Sequence, residues 1–478
     1  MKVKNWYLWC VMAAVTYVMP IILANVSYTD DMGRILDGYG WSHDGRVFAD
    51  YVLGATSFGN GVLTVFPFSL MLSAAIYAIS GIIISNVTFD ADSKIKRLSG
   101  FILIASPFLL ENMAYKFDAL PMSLSVFFAI LPFSIKNRYY FVVTSIACLV
   151  LTFGLYQTSA MLYLGVALCI MIKKCSNNEK GIDVNLIVCT LISFFIAYGI
   201  YSYLLLMLDV TVGRTKILPF DMSSINIVLE RLSIYSAHYK KLFDGGYKIA
   251  VLPVLVLAIV SFISMALNGL SKVNLAMIIV YMFGLYLLVM LPNLVLVTGW
   301  VTARTFVCFP LLIYAVVIIA SQCKFKIDDS IYVTCLLVLF CFSFFVSSVF
   351  GSALKINDDY SVYIAQSVSN DIAEDSTEIS HNVIISGARP VAINNVQAFN
   401  SFPFLYILAP TYMVEGWTWG IRDLSRYMRM NFVSENAAYV RDRCSWTVLK
   451  RRGIYNLLKK NNMYMVDFNY KVCEVTKN

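Results

Sequence analysis

Apolar residues in this chain come in long, nearly unbroken runs rather than in the mixed patterns of a soluble fold. Runs approaching the ~20 residues that a helix needs to cross hydrocarbon recur at 6–24, 62–85, 100–112, 119–135, 139–154, 157–172, 184–208, 249–267, 274–297, 305–321 and 331–352. They predict a polytopic α-helical membrane protein of about eleven transmembrane helices. A transmembrane barrel would show alternating strands of about ten residues instead. The third run is short, and the fifth and sixth are parted only by Tyr156-Gln157-Thr158-Ser159, read as the polar tip of a hairpin. Two stretches leave this pattern. Within 209–248, Ile225, Val228, Leu229, Leu232, Ile234 and Tyr235 fall at roughly helical spacing, which predicts an amphipathic helix lying on the outer bilayer face. Residues 353–478 form a polar C-terminal domain. There Asn382-Val-Ile-Ile-Ser386 before Gly387 reads as a buried strand and turn, 391–394 as a second strand and 441–461 as a helix, hence a small α/β domain. The expected division is a membrane domain over 1–352, with outer loops 25–60, 111–118 and 209–248, followed by the domain 353–478.

Composition sharpens that picture. The chain is 59% hydrophobic and 14% charged, against about a quarter charged in soluble domains, and its mean hydropathy is +0.71. The net charge of +8 does not point to nucleic acid, because the basic residues sit in short loops between apolar runs. With the N-terminus inside, Lys94, Lys96, Arg97, Lys136, Arg138, Lys173 and Lys174 fall on the cytoplasmic side. The short outer loops hold only Arg34, Arg46, Lys116 and Arg304. This positive-inside bias places the C-terminal domain opposite the cytoplasm. The start Met1-Lys-Val-Lys-Asn leads into an apolar run without an Ala-x-Ala site, as in an uncleaved signal-anchor. Most of the 11 Cys lie inside apolar runs, and Cys444 with Cys473 is the pair in the tail, where a bridge stays open. No CxxC or HExxH occurs, and His43, His238 and His381 are far apart, so no metal site is expected. There is no P-loop and no GxGxxG, and no cofactor is expected.

Candidate chemistry gathers at the outer boundary. Tyr28-Thr-Asp-Asp-Met-Gly-Arg34 follows the first apolar run directly, and Trp41, His43, Asp44 and Arg46 come next. Carboxylates such as Asp30 and Asp31 are costly near hydrocarbon unless paired or used; the plain alternative is an anchoring turn with internal salt bridges. Glu111-Asn-Met-Ala-Tyr-Lys-Phe-Asp118 lies between the third and fourth runs, and a charged reversal explains it equally well. Arg304, in Gly299-Trp-Val-Thr-Ala-Arg304, stands in an otherwise uncharged outer loop and implies an anionic partner or a snorkelling side chain. Sugar transfer from a lipid phosphate needs a base for the acceptor hydroxyl and cations for the departing phosphate. Asp30, Asp31 and Glu111 are the catalytic candidates. Arg34, Arg46, Lys116 and Arg304 are those for the donor phosphate, and Trp41, Asp44, Asp118 and Trp300 those for sugar contacts.

The motifs Tyr28–Arg34, Gly45-Arg46 and Glu111–Asp118 resemble those of the phage- and prophage-encoded serotype-converting O-antigen glucosyltransferases, the Gtr type-specific enzymes. The resemblance extends loosely over residues 1–350. It implies a GT-C-like enzyme of the bacterial inner membrane that takes glucose from undecaprenyl phosphate on the periplasmic face. The acceptor would be a sugar of the lipopolysaccharide O-antigen, with inversion from a β-phosphate to an α-glucoside. It further implies a functional link to a flippase and to a separate donor-making glucosyltransferase. Two rivals are a lipid-linked sugar transporter and an O-antigen polymerase. Transporters place ionisable groups near the midplane, whereas here they collect at one face. A polymerase would carry its large loop between later spans rather than a tail.

Overall fold

A computed structural model of the chain describes residues 3–89, 93–179, 181–210, 217–219, 221–325, 327–434 and 436–469. The chain divides into two compact units. One comprises Met1–Leu23 and Tyr39–Ser348; the other comprises Ala24–Gly38 and Val349–Asn478.

The first unit is helical. Among the described residues, seven helical stretches of the chain are long and apolar enough to cross a membrane: Trp6–Ala24, Phe68–Thr88, Arg138–Ser176, Val184–Met207, Met222–Leu267, Lys272–Val295 and Asp329–Ala373. Shorter apolar helices are Val47–Thr56, Ala119–Ser134 and Phe309–Ala320. A count of eleven spans is therefore not confirmed. The expected third span, 100–112, is instead a buried chain of turns leading into the six-residue helix Leu109–Ala114. Pro107 explains the interruption, since it lacks an N–H and biases Ser106 away from helical angles.

The stretch 138–176 breaks where the polar tip was expected. Tyr156 is extended (φ −159°, ψ 101°) ahead of a 3₁₀ turn over Gln157–Ser159. The two halves then pack chiefly on other helices. Arg138–Tyr156 lies against Val184–Met207, and Ala160–Ser176 against Lys272–Val295 and Phe309–Ala320. Close packing within the unit relies on small residues, as membrane helices commonly do. A Cβ at Gly81 would stand 2.1 Å from the Gly100 carbonyl oxygen. The amphipathic segment forms the helix Met222–Leu242, which buries Arg231 and Tyr235 while Ile225 and Leu229 stay exposed.

The second unit holds a five-stranded sheet in the order β2-β1-β5-β4-β3. Its strands are β1 (Ser380–Ser386), β2 (Arg429–Phe432), β3 (Thr447–Arg451), β4 (Asn456–Lys460) and β5 (Met463–Asp467). β1 runs parallel to both β2 and β5, whereas β3–β4 and β4–β5 are antiparallel. Side chains alternate across the sheet as strand geometry requires. Val383, Ile385, Leu457, Tyr464 and Val466 pack on Ile364, Ala365, Val368 and Ile372 of the long helix Asp329–Ala373. Ile384, Leu458 and Met465 face Val440 and Trp446.

Two expectations here are corrected. Residues 391–394 make no strand; Pro390 precedes a 3₁₀ turn, Ile393–Asn395, and the buried Asn395 amide donates to the Ala353 carbonyl (2.9 Å) and to Asn357 Oδ1 (3.0 Å). Residues 441–461 hold the β3–β4 hairpin rather than a helix, because β-branched Thr447 and Val448 favour a strand and Gly453 supplies the turn. Cys444 is disulfide-bonded, and Cys473 lies outside the described residues.

Candidate active site

In the first unit three charged segments expected at the outer boundary meet around Tyr156. The first begins at Tyr39. A 3₁₀ turn over Ser42–Asp44 closes on Gly45, whose φ of +77° favours glycine, and Arg46 then opens the helix Val47–Thr56. Trp41 is fully buried and donates its Nε1–H to Asp118 Oδ1 at 2.6 Å. Arg46 Nη1 donates to the same oxygen at 2.9 Å, and its guanidinium lies over the Tyr156 ring, 4.7 Å from the centroid. Side-chain exposure is 10% for Arg46 and 1% for Asp118, so the pair is desolvated and hydrogen-bonded, the condition under which a buried ion pair is tolerated.

The second and third segments are joined through Glu111 and Arg304. Glu111 Oε2 accepts the Arg304 backbone N–H (2.7 Å), and Arg304 Nη1 donates to the Tyr115 hydroxyl (2.8 Å). The Arg304 carbonyl accepts from the Tyr156 hydroxyl (3.1 Å) and from Asn112 Nδ2 (3.3 Å). Tyr156 thus touches Arg46 with its ring face and Arg304 with its hydroxyl, and lies within electrostatic reach of Glu111. Gln157 completes the junction, donating to the Asp44 carbonyl (2.9 Å) and to the Tyr201 hydroxyl (3.1 Å), which in turn donates to the Gly45 carbonyl (3.0 Å). Behind Arg304, the Arg231 guanidinium donates to the Asn293 and Val297 carbonyls (2.7 and 2.8 Å). The Asn293 amide donates to Thr305 Oγ1 (2.7 Å), which fixes the loop that carries Arg304.

The remaining candidates are placed differently. Lys116 lies over the Phe66 ring at 5.1 Å and lines a shallow apolar groove with Leu53, Leu63, Val65, Phe117 and Pro121. Trp300 is 65% exposed. Asp44 takes part through its carbonyl, and its carboxylate faces His43 at 3.7 Å. Asp30, Asp31 and Arg34 belong to the second unit, in the helix Asp30–Asp37. Asp31 is fully buried and accepts the Tyr28 N–H at 3.0 Å, Arg34 is buried, and Asp30 is half-buried. The segment is tied to the C-terminal residues: Tyr28 donates its hydroxyl to the Leu408 carbonyl (2.7 Å), the Thr29 N–H donates to the Tyr412 hydroxyl (3.2 Å), and Asp37 pairs with Arg422 (2.6 Å).

Tyr156, Gln157, Tyr115 and Tyr201 were not among the expected site residues. The usable signal was a polar interruption inside a 39-residue helical stretch, read as a turn. Among the described residues no group of His, Cys, Asp and Glu could hold a metal ion. A family model described as "Glucosyl transferase GtrII" matches residues 19–321, well over half of the chain. An uncharacterized 55.3 kDa protein in the gtrB 5′ region of Salmonella phage P22 is 26% identical over 244 residues, covering 48% of this chain and 50% of that protein. The chain thus spans about half the length of this curated relative. No solved structure matches it.

Proposed function

The chain belongs to the GtrII glucosyl transferase family, and we propose that it moves glucose from undecaprenyl phosphate-glucose to a sugar of the lipopolysaccharide O-antigen. The reaction would run on the periplasmic face of the bacterial inner membrane, with the C-terminal domain on the same side. The observation that carries this reading is the pair of arginines, Arg46 and Arg304, set on the two aspects of Tyr156 and each tied to a carboxylate. Guanidinium groups grip phosphate oxygens with paired hydrogen bonds that an ammonium cannot reproduce.

In the proposed step the Asp30–Asp31 pair takes the proton of the acceptor hydroxyl. That oxygen forms the new bond to the glucose anomeric carbon from the face opposite the phosphate. The anomeric carbon–oxygen bond to phosphate breaks, its electron pair leaves on undecaprenyl phosphate, and configuration inverts from β to α. Asp31 accepts the Tyr28 N–H and Asp30 is half-buried; either of them, or the two together, is assigned to the hydroxyl. Arg46 and Arg304, with Arg34 and Lys116, are assigned to the negative charge that grows on the phosphate. Glu111 holds the Arg304 backbone through Oε2. A membrane position is supported by the seven long apolar helices.

The test is reconstitution of the purified protein in proteoliposomes with O-antigen acceptor and either undecaprenyl phosphate-glucose or a nucleotide-activated glucose. The expected product is an α-glucosylated acceptor formed from the lipid donor alone. Product from the nucleotide donor, or movement of the intact lipid-linked sugar across the bilayer without a product, would defeat the reading.

A further inference from the structure

In the second unit, the segment that carries the Asp30–Asp31 pair is held in a backbone shape its sequence does not favour. Tyr28–Asp31 forms a reverse turn running into the helix Asp30–Asp37. The Asp31 N–H bonds the Tyr28 carbonyl (2.9 Å), and the Asp31 carboxylate accepts the Tyr28 N–H (3.0 Å). The first central residue of the turn, Thr29, stands at φ +38° and ψ −105°. Those angles lie near the first central position of a type II′ turn, which glycine normally fills, and a β-branched residue there is strained. Threonine ahead of a helix is usually explained by capping. Thr29 makes no capping bond, however, and its Oγ1 is buried without a hydrogen bond among the described residues. Strain of this kind persists only where neighbours impose it, and it clusters at functional sites.

The neighbour in question is Tyr412. The Thr29 N–H donates to its hydroxyl at 3.2 Å. The Tyr412 side chain is buried, and its ring is fixed between two others, Tyr28 edge-on at 6.4 Å and Trp417 tilted at 5.7 Å. Its backbone is anchored to the sheet. Ala388, just past the end of β1, bridges to Val414, and the Arg389 N–H bonds the Met413 carbonyl (2.9 Å). The segment has further ties to the same unit. Tyr28 donates its hydroxyl to the Leu408 carbonyl (2.7 Å), and Asp37, at the far end of the short helix, pairs with Arg422 (2.6 Å). Among these contacts the Tyr412 hydroxyl reaches the strained residue itself, one step before Asp30.

We infer that Tyr412 is a positioning residue for the base: its hydroxyl locks Thr29 in the strained conformation and so aims the carboxylates of Asp30 and Asp31. The inference rests on the glucosyltransferase reading, which supplies the base; the turn supplies the constraint. In this role the hydroxyl touches no reacting atom. Its loss leaves the ring packing in place but lets the turn relax toward angles that threonine prefers. Fewer molecules then hold the acidic pair in its working direction. The effect falls on kcat, because no assigned donor or acceptor contact passes through Thr29. Glycine at this position removes the strain at its source, and the hydroxyl then has little left to hold. A role of Tyr412 in packing alone has no such dependence on Thr29.

The test is transfer kinetics of the full-length protein in proteoliposomes, with undecaprenyl phosphate-glucose and O-antigen acceptor. Wild type, Tyr412→Phe, Thr29→Gly and the double variant are compared. Tyr412→Phe should lower kcat about three- to tenfold, the size of one neutral hydrogen bond's contribution, with both KM values within about twofold of wild type. In the Thr29→Gly background the same substitution should change kcat by less than about twofold, a coupling that the double-mutant cycle isolates. Amide hydrogen exchange of peptides spanning 26–33, read by mass spectrometry, should rise in Tyr412→Phe without any substrate present. An unchanged kcat in Tyr412→Phe, an equal fall in both backgrounds, or unchanged exchange would overturn the inference. Near-normal transfer by both Asp30→Asn and Asp31→Asn would instead defeat the base assignment, and the positioning role with it, while raised exchange in Tyr412→Phe would still show the clamp on Thr29.

Discussion

Replacing Asp118 by Ala removes the one oxygen that Trp41 and Arg46 share, at 2.6 and 2.9 Å. Arg46 then stays buried, with its Nε already lacking a partner among the described residues. Breaking a buried ion pair from one side costs about 3–5 kcal/mol. The shift is about 2–4 °C per kcal/mol for a domain of 150–250 residues and falls with size, so this larger helical unit should lose roughly 5–10 °C. Asp118→Asn keeps an acceptor but not the charge and should lose about 1–2 kcal/mol, the difference between charged and neutral hydrogen bonds. The double variant Arg46→Met/Asp118→Leu removes both charges and should recover at least half of the Asp118→Ala loss, because well-packed apolar replacements of buried pairs are often neutral. Thermal unfolding of the full-length protein in detergent, followed by tryptophan fluorescence, reads all four proteins. Transfer should stay abolished in the double variant despite its recovered stability. A double variant no more stable than Asp118→Ala would refute the pairing as the source of the effect.

Tyr156→Phe removes the hydroxyl donated to the Arg304 carbonyl but keeps the ring under Arg46, so it should cost about 0.5–1.5 kcal/mol and slow transfer by no more than ~10-fold; a loss equal to that of Tyr156→Ala would contradict this division of labour. Gly154→Ala would set a Cβ 2.2 Å from the Phe48 ring, on the helix that Arg46 opens, and should lower stability by about 1–3 kcal/mol, against no measurable shift if the ring can step aside freely. In the second unit, hydrogen bonds from Lys459 and Tyr464 hold the Asp375 carboxyl below the usual range. Its stabilising contribution is therefore present above the ordinary carboxylate pKa and lost as pH falls through the lowered value. Lys459→Met should move the acid-unfolding midpoint, read by pulse proteolysis of the full chain, to higher pH, and an unmoved midpoint would discount the Asp375 bridge.

The membrane helices were legible because any residue crossing hydrocarbon must be apolar whichever neighbour it meets. Phe68–Thr88 and Val184–Met207 follow from that rule alone. Segment 100–112 was misread because it is buried without being helical; apolar composition reports burial, and Pro107 decides the conformation. In the C-terminal unit β1 was visible as a short apolar run ended by Gly387, while the β3–β4 hairpin, with its Lys and Arg on the exposed side, carried too little apolar contrast. The charged site residues stood out through the cost of placing them near lipid. Their pairing did not, since Arg46 and Asp118 lie 72 residues apart, and the polar interruption at Tyr156 marks a turn without showing which charged groups meet there. The grouping of Ala24–Gly38 with the C-terminal unit depends on bonds such as Tyr28 to Leu408, 380 residues away, which no local pattern announces.

The central claim is that an acceptor hydroxyl is deprotonated by the Asp30–Asp31 pair as glucose leaves undecaprenyl phosphate. Its most direct test is the transfer rate of purified protein at saturating undecaprenyl phosphate-glucose and O-antigen acceptor, for wild type, Asp30→Asn and Asp31→Asn at matched folded amounts. A general base contributes about 10²–10⁴ in rate. The account predicts a loss of that size in at least one variant with donor binding retained. Near-normal transfer by both Asn variants would contradict it.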